Sequence, residues 1–151
     1  QYFAFMREIL GFLIQVVDRM AFERMGAEQR GEFTAALVRR VAEILEESEQ
    51  EWLGLPPEGA DSWRNQFIDF CNELGEAYAD FGHGPEGPDF GFVRYLGSRI
   101  EGVMPAKDQH WVKDQLMAVE VPEALEMVRR GMHGALSTEP RPKRRASMSG
   151  D

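Results

Sequence analysis

Cysteine is almost absent from the chain: Cys71 stands alone among 151 residues. One thiol excludes an intrachain disulfide framework, and such usage fits a reducing, cytoplasmic setting. Basic residues are scarce beside acidic ones, 17 Lys and Arg against 26 Asp and Glu, for a net charge of −9. Ahead of the C-terminal stretch the imbalance is larger still, because Glu139 to Asp151 alone holds four basic and two acidic residues. Nucleic-acid affinity rests on Lys and Arg neutralising phosphates, so this composition argues against a nucleic-acid partner. No segment alternates apolar and polar residues with period two, which removes half-buried strands from consideration. Nor does any repeat recur at a fixed spacing. Phosphate-binding G-x-x-x-x-G-K-[ST], dinucleotide-binding G-x-G-x-x-G, C-x-x-C and H-E-x-x-H are all missing, and no cofactor is expected. No uncharged apolar run approaches the roughly 20 residues of a membrane span.

What remains is helical periodicity, strongest at the very start. Tyr2 to Phe22 reads YFAFMREILGFLIQVVDRMAF. At 100° per residue its apolar side chains cover well over half of the circumference. A surface helix shows an apolar stripe of somewhat over ~100°, so this helix should be the centre of a bundle or should give a second face to another subunit. Arg7, Glu8, Asp18 and Arg19 lie inside the window and are costly in lipid, which sets aside a membrane span. No small-x-small cleavage site follows, so a signal peptide fits poorly as well.

Further helices follow in order. A second is expected over Ala27–Leu53 behind Gly26, with Phe33, Leu37, Val41, Ile44, Leu45, Ser48 and Trp52 inward. Glu46, Glu47, Glu49 and Glu51 crowd its last turns, where the helix dipole opposes negative charge; a solvated face is the simplest reading. The turn-rich GLPPEGAD leads to a third helix, capped by Asp61 or Ser62 and running to about Phe81. Its apolar stripe is Phe67, Phe70, Cys71, Leu74, Tyr78 and Phe81. GHGPEGPDFG, Gly82 to Gly91, is a break. A fourth helix spans about Asp89 to Met104, with Gly97 placed for close approach of another backbone. A fifth covers Asp108–Val119, and a sixth begins around Pro122, where a first helical turn tolerates proline. The fold class is all-α: a single-domain bundle of five or six helices around a very apolar N-terminal helix, residues 1–137. A disordered basic tail, 138–151, follows. That tail could fold back on the acidic end of the second helix, and its Arg144-Arg145-Ala146-Ser147 resembles a basophilic kinase site.

Three constellations carry candidate chemistry. On the third helix Asp69, Glu73, Glu76 and Asp80 form one carboxylate stripe. The words NELGEAYAD, Asn72 to Asp80, resemble the first acidic motif of the all-α NTP pyrophosphatases, which implies an E-x-x-E helix that binds magnesium. That family needs E-x-x-D on a second helix, and the nearby match, Glu86 to Asp89, falls in the Gly/Pro loop. The acids also lie opposite the apolar stripe, whereas bundle metal sites point inward. No metal site is expected here. In the loop itself, His83, Glu86 and Asp89 follow H-x-x-E-x-x-D, a ligand set able to hold a divalent metal. A plain connecting loop is the simpler reading. Finally, Arg7, Glu8, Gln15, Asp18 and Arg19 form the polar stripe of the central helix. Buried charges must be paired. Arg7 and Asp18, or Glu8 and Arg19, are ~16 Å apart along the axis, so their partners must lie on other helices or subunits. Either they form an ordinary ion-pair network or they line a ligand pocket. His110 and His133 read as surface residues, and Cys71 as an inert core thiol. The function expected first is association, with a protein partner or another copy of the chain. A ligand-binding or enzymatic bundle is the alternative, with a pocket along the first helix or a divalent-metal site at the His83 loop.

Overall fold

The computed structural model describes residues 2–136; the basic tail, its kinase-like motif and its suggested contact with the second helix lie outside the described residues. The chain is an all-α bundle with one small hairpin. Helix α1 (Tyr2–Arg24) runs through its middle, and from Phe3 to Ala21 none of its residues is exposed. Helix α2 (Ala27–Leu53) packs antiparallel after the turn at Met25 and Gly26. Helix α3 (Trp63–Ala77) starts at Ser62, whose hydroxyl accepts a bond from Asn65 N at 3.1 Å. Strands β1 (His83–Gly84) and β2 (Gly87–Pro88) make a two-residue hairpin, with Gly87 at φ 114. Helix α4 (Phe90–Val103) begins at Asp89, whose Oδ1 accepts from Phe92 N at 2.8 Å.

The helical chain after Pro105 differs from the expected pair of helices. A 3₁₀ turn, Ala106–Asp108, leads through a single α turn, α5 (Gln109–Trp111), into a π-helical stretch, Val112–Glu120. This passes without interruption into α6 (Val121–Leu136). Proline cannot donate, and its ring crowds the carbonyl four residues back, so an internal Pro122 would break an ordinary α helix. The wider turns ahead of it remove that conflict: Val121 N–H already reaches Leu116 O, five residues back. Proline here does not start a helix; it sits in a continuous one.

Two apolar clusters flank α1. On one side Ile14 meets Ala42 and Leu45 of α2 with Phe67 and Cys71 of α3. On the other, Phe12 and Val16 meet Leu74, Tyr78, Phe92, Leu96, Ile100, Val112, Leu116 and Val121. Helix α1 therefore spends its two apolar faces within its own chain. At Gly11 a β-carbon would collide with Leu74 Cδ1, so glycine leaves the space that the Leu74 side chain occupies. The role expected of Gly97 is not seen: a β-carbon there would meet the Met117 side chain, at the ordinary contact distance of 3.6 Å, and no backbone. The inner face of α2 is also rotated from expectation. Ala42, Leu45 and Glu49 are buried, while Ile44, Ser48 and Trp52 are exposed. Among the described residues no helix is long and apolar enough to cross a membrane.

Candidate functional site

The polar stripe of α1 makes its contacts with three other helices. Arg7 Nη2 donates to Glu49 Oε2 of α2 at 2.6 Å. Arg99 of α4 grips Glu8 through two bonds, Nε to Oε1 at 2.6 Å and Nη2 to Oε2 at 3.1 Å. Gln15 Nε2 donates to the Cys71 carbonyl at 3.3 Å. Asp18 accepts from Arg30 Nε at 3.0 Å, from Arg30 Nη2 at 2.6 Å and from Thr34 at 2.7 Å. Burial alone would push the Asp18 carboxyl up, but the bonds from Arg30 and Thr34 and the two arginine charges hold it below the usual range. Arg19 donates to the carbonyls of Phe81 at 2.6 Å and Tyr78 at 2.8 Å. These carbonyls lie just past the end of α3, where a cation complements the helix dipole. Arg7 and Glu8 bolt α1 to α2 and α4. Gln15, Asp18 and Arg19, each bonded to a neighbouring segment, also line a cleft of about 550 Å³ with Glu23, Arg30 and His83, away from Arg7 and Glu8.

The glutamate run at the end of α2 departs from a purely solvated face. Glu49 is fully buried, and burial pushes its carboxyl up against the opposing pull of Arg7. Its position, seven residues after Ala42 and four after Leu45, puts it on the inner stripe. Glu46 caps the start of α3 by accepting from Arg64 N at 3.0 Å. Cys71 is buried, and desolvation pushes its thiol up to about 12, so it is a core group and not a thiolate.

Asp69, Glu73, Glu76 and Asp80 are all exposed. Among the described residues no group of three or more His, Cys, Asp and Glu is placed to hold a metal ion. The H-x-x-E-x-x-D set is pulled apart by its backbone. Asp89 spends Oδ1 on the start of α4 and Oδ2 on Gly82 N at 2.9 Å. Glu86 stands exposed in the hairpin turn. His83 alone of the three turns inward.

That histidine lines a cleft of about 440 Å³ between the C-terminal half of α1, the hairpin and α6. Val16 and Met20 of α1, Val93 of α4, and Val121, Leu125 and Met132 of α6 form its apolar wall. Glu23, Arg24, Glu86, Glu126, Arg129 and His133 stand around it. A volume in the range of about 300–1,000 Å³ is usual for small-molecule sites, and this one combines an apolar wall with a rim of charged groups. The His83 side chain is 5% exposed, and Nδ1 lies 4.0 Å from Glu23 Oε1, beyond hydrogen-bond distance. Among the described residues neither ring nitrogen has a hydrogen-bond partner. An unmatched buried polar group costs about 1–3 kcal/mol. Desolvation holds the imidazole below its ordinary range, Glu23 opposing and Arg19 adding to the effect, so the ring is neutral at pH 7. Sequence reasoning picked out His83 but missed Val16, Met20, Leu125 and Met132 as anything but core. It also placed His133 on the surface without seeing that it borders the cleft. No protein-family model, curated protein or solved structure matches this chain.

Proposed function

We propose that the protein binds a small, mainly apolar molecule in the cleft between α1, the His83–Pro88 hairpin and α6. The observation that carries this reading is His83: a neutral, almost fully buried imidazole, unpartnered among the described residues, in the wall of an apolar cleft. The nine-residue π-helical stretch supports it from a second direction. It ends against Val121 and Pro122, which line the same cleft, and π-helical segments are found frequently at functional sites. A screen of neutral apolar fragments, followed through the methyl signals of Met20 and Met132, tests the idea. Binding shifts these two saturably, leaves the exposed Met127 unmoved and raises the melting temperature. Fragments that move all methionines alike, or none, defeat it.

A second reading, association with a partner or another copy, draws on a different place from the one expected. Trp52 is 76% exposed, Leu53 53% and Leu55 78%, three large apolar side chains together at the end of α2. Such a cluster is the kind of surface that association covers. Helix α1 no longer supports this reading, since its own chain covers it. Sedimentation velocity over a concentration series should reveal a larger species that disappears in Trp52→Ser/Leu55→Ser. A monomer at every concentration excludes self-association.

A further inference from the structure

Resting on the cleft reading above, we infer that the ligand's polar head is a hydrogen-bond donor, an alcohol or an amine on an apolar body, and that His83 Nε2 accepts from it. The Glu23 carboxylate, 4.0 Å from Nδ1, can only accept. It therefore favours the tautomer that carries hydrogen on Nδ1 and leaves a lone pair on Nε2. That nitrogen is buried and has no partner among the described residues. A group that meets it must bring an N–H or O–H; a second acceptor would leave both lone pairs opposed. The neutral state of the ring agrees with this polarity.

The surrounding charges disfavour an anion. Glu23 sits beside the imidazole, and Glu86 stands in the hairpin turn bordering the same cleft. Arg129 shares two bonds, at 2.6 and 2.9 Å, with Glu126, so these two charges offset each other at the exposed rim of the cleft. Arg24 is then the lining cation set against two lining carboxylates, while Arg19, whose charge also acts on the imidazole, is spent on the Tyr78 and Phe81 carbonyls. The walls supply no strong donor of their own: Val16, Met20, Val93, Val121, Leu125 and Met132 can only pack on carbon. Head and body are thus read by separate parts of the site, the head by one nitrogen and the body by a wall of methyl and methylene groups. Because both ring nitrogens are shielded from solvent, the head reaches Nε2 only with a local shift of the ring or of the residues covering it.

The test is a four-way titration of the full chain with hexan-1-ol, hexylamine, methyl pentyl ether and hexanoate. The readouts are the His83 imidazole nitrogen shifts and the Met20 and Met132 methyl signals. The alcohol and the amine should each bind roughly tenfold more tightly than the ether and the hexanoate, the ratio expected of one hydrogen bond to a buried acceptor. The alcohol and amine arms separate a neutral donor from a charged one. His83→Leu should bring the alcohol down to the ether while leaving the ether unchanged. Glu23→Gln, at a half-exposed side chain, should narrow the preference by freeing the tautomer, and it serves if His83→Leu does not fold. Equal binding of ether and alcohol overturns the inference and leaves the cleft reading standing. Tightest binding of hexanoate overturns it in favour of Arg24 as the reader of the head. Four probes that leave the cleft signals unmoved overturn both readings.

Discussion

Arg99→Leu should destabilise the protein by about 3 kcal/mol or more, and removing Glu8 as well should restore most of the loss. Glu8 has a side chain only 5% exposed, and its two carboxylate oxygens are held by Arg99 from α4. Breaking a buried pair from one side costs about 3–5 kcal/mol, because the remaining charge stays desolvated with nothing to meet it. Arg99 is 28% exposed, so water can partly replace it and the lower end of that range applies. Part of the loss is packing, since the guanidinium also lies 5.7 Å from the Phe70 ring centre and 5.8 Å from that of Tyr95. Replacing both partners by apolar groups avoids the orphan charge, and such exchanges are often close to neutral. Urea unfolding of Arg99→Leu and Glu8→Leu/Arg99→Leu decides the matter through midpoints at constant slope. A double variant as unstable as the single one would mean that the pair is not the source of the loss.

The same pair shows what could be read in advance. Spacing alone required that Glu8 and Arg19, or Arg7 and Asp18, find their partners elsewhere, because a helix rises 1.5 Å per residue. Which helix supplies each partner is a matter of tertiary packing: Arg99 lies 91 residues from Glu8 and Glu49 lies 42 from Arg7. The all-α class, the extents of α1, α2 and α4, the start of α3 and the stripe from Phe67 to Leu74 follow from 3.6-residue periodicity and caps, which are local; α3 itself ends at Ala77, four residues before the expected Phe81. The inner face of α2 was misplaced because Ile44 and Trp52 are apolar and Glu49 is not, yet Arg7 makes the charged position the buried one. The fused α5, π-helical stretch and α6 were hidden by Pro122, whose usual role is to start or stop a helix. Only the widened turns, themselves fixed by packing of Val112, Leu116 and Val121, make it internal. The cleft had no sequence signal of its own. Val16 and Met20 repeat with the same period as the core residues around them, and periodicity does not distinguish a side chain packed on protein from one facing open space.

Phe12→Ala should be the most damaging single truncation, at about 3–5 kcal/mol. Its ring is fully buried at the middle of the central helix. It stands 5.7 Å from the Phe92 ring at an interplanar angle of 77° and 6.0 Å from Tyr78. Phe92 and Tyr78 in turn stack at 4.9 Å, so α1, α3 and α4 meet through three aromatic rings. Truncation removes both the burial of Phe12 and one edge of this cluster. A domain stable by about 5–15 kcal/mol loses a large fraction of its margin to such a change. Phe90, 79% exposed, is the matched control, and Phe90→Ala should shift stability by no more than about 0.5 kcal/mol. The double change Phe12→Ala/Phe92→Ala should cost less than the sum of the two singles, by about 0.5–1.5 kcal/mol, the range measured for aromatic pairs. Strict additivity would mean that the two rings contribute through burial alone and that their edge-to-face contact adds nothing to the joint between α1 and α4.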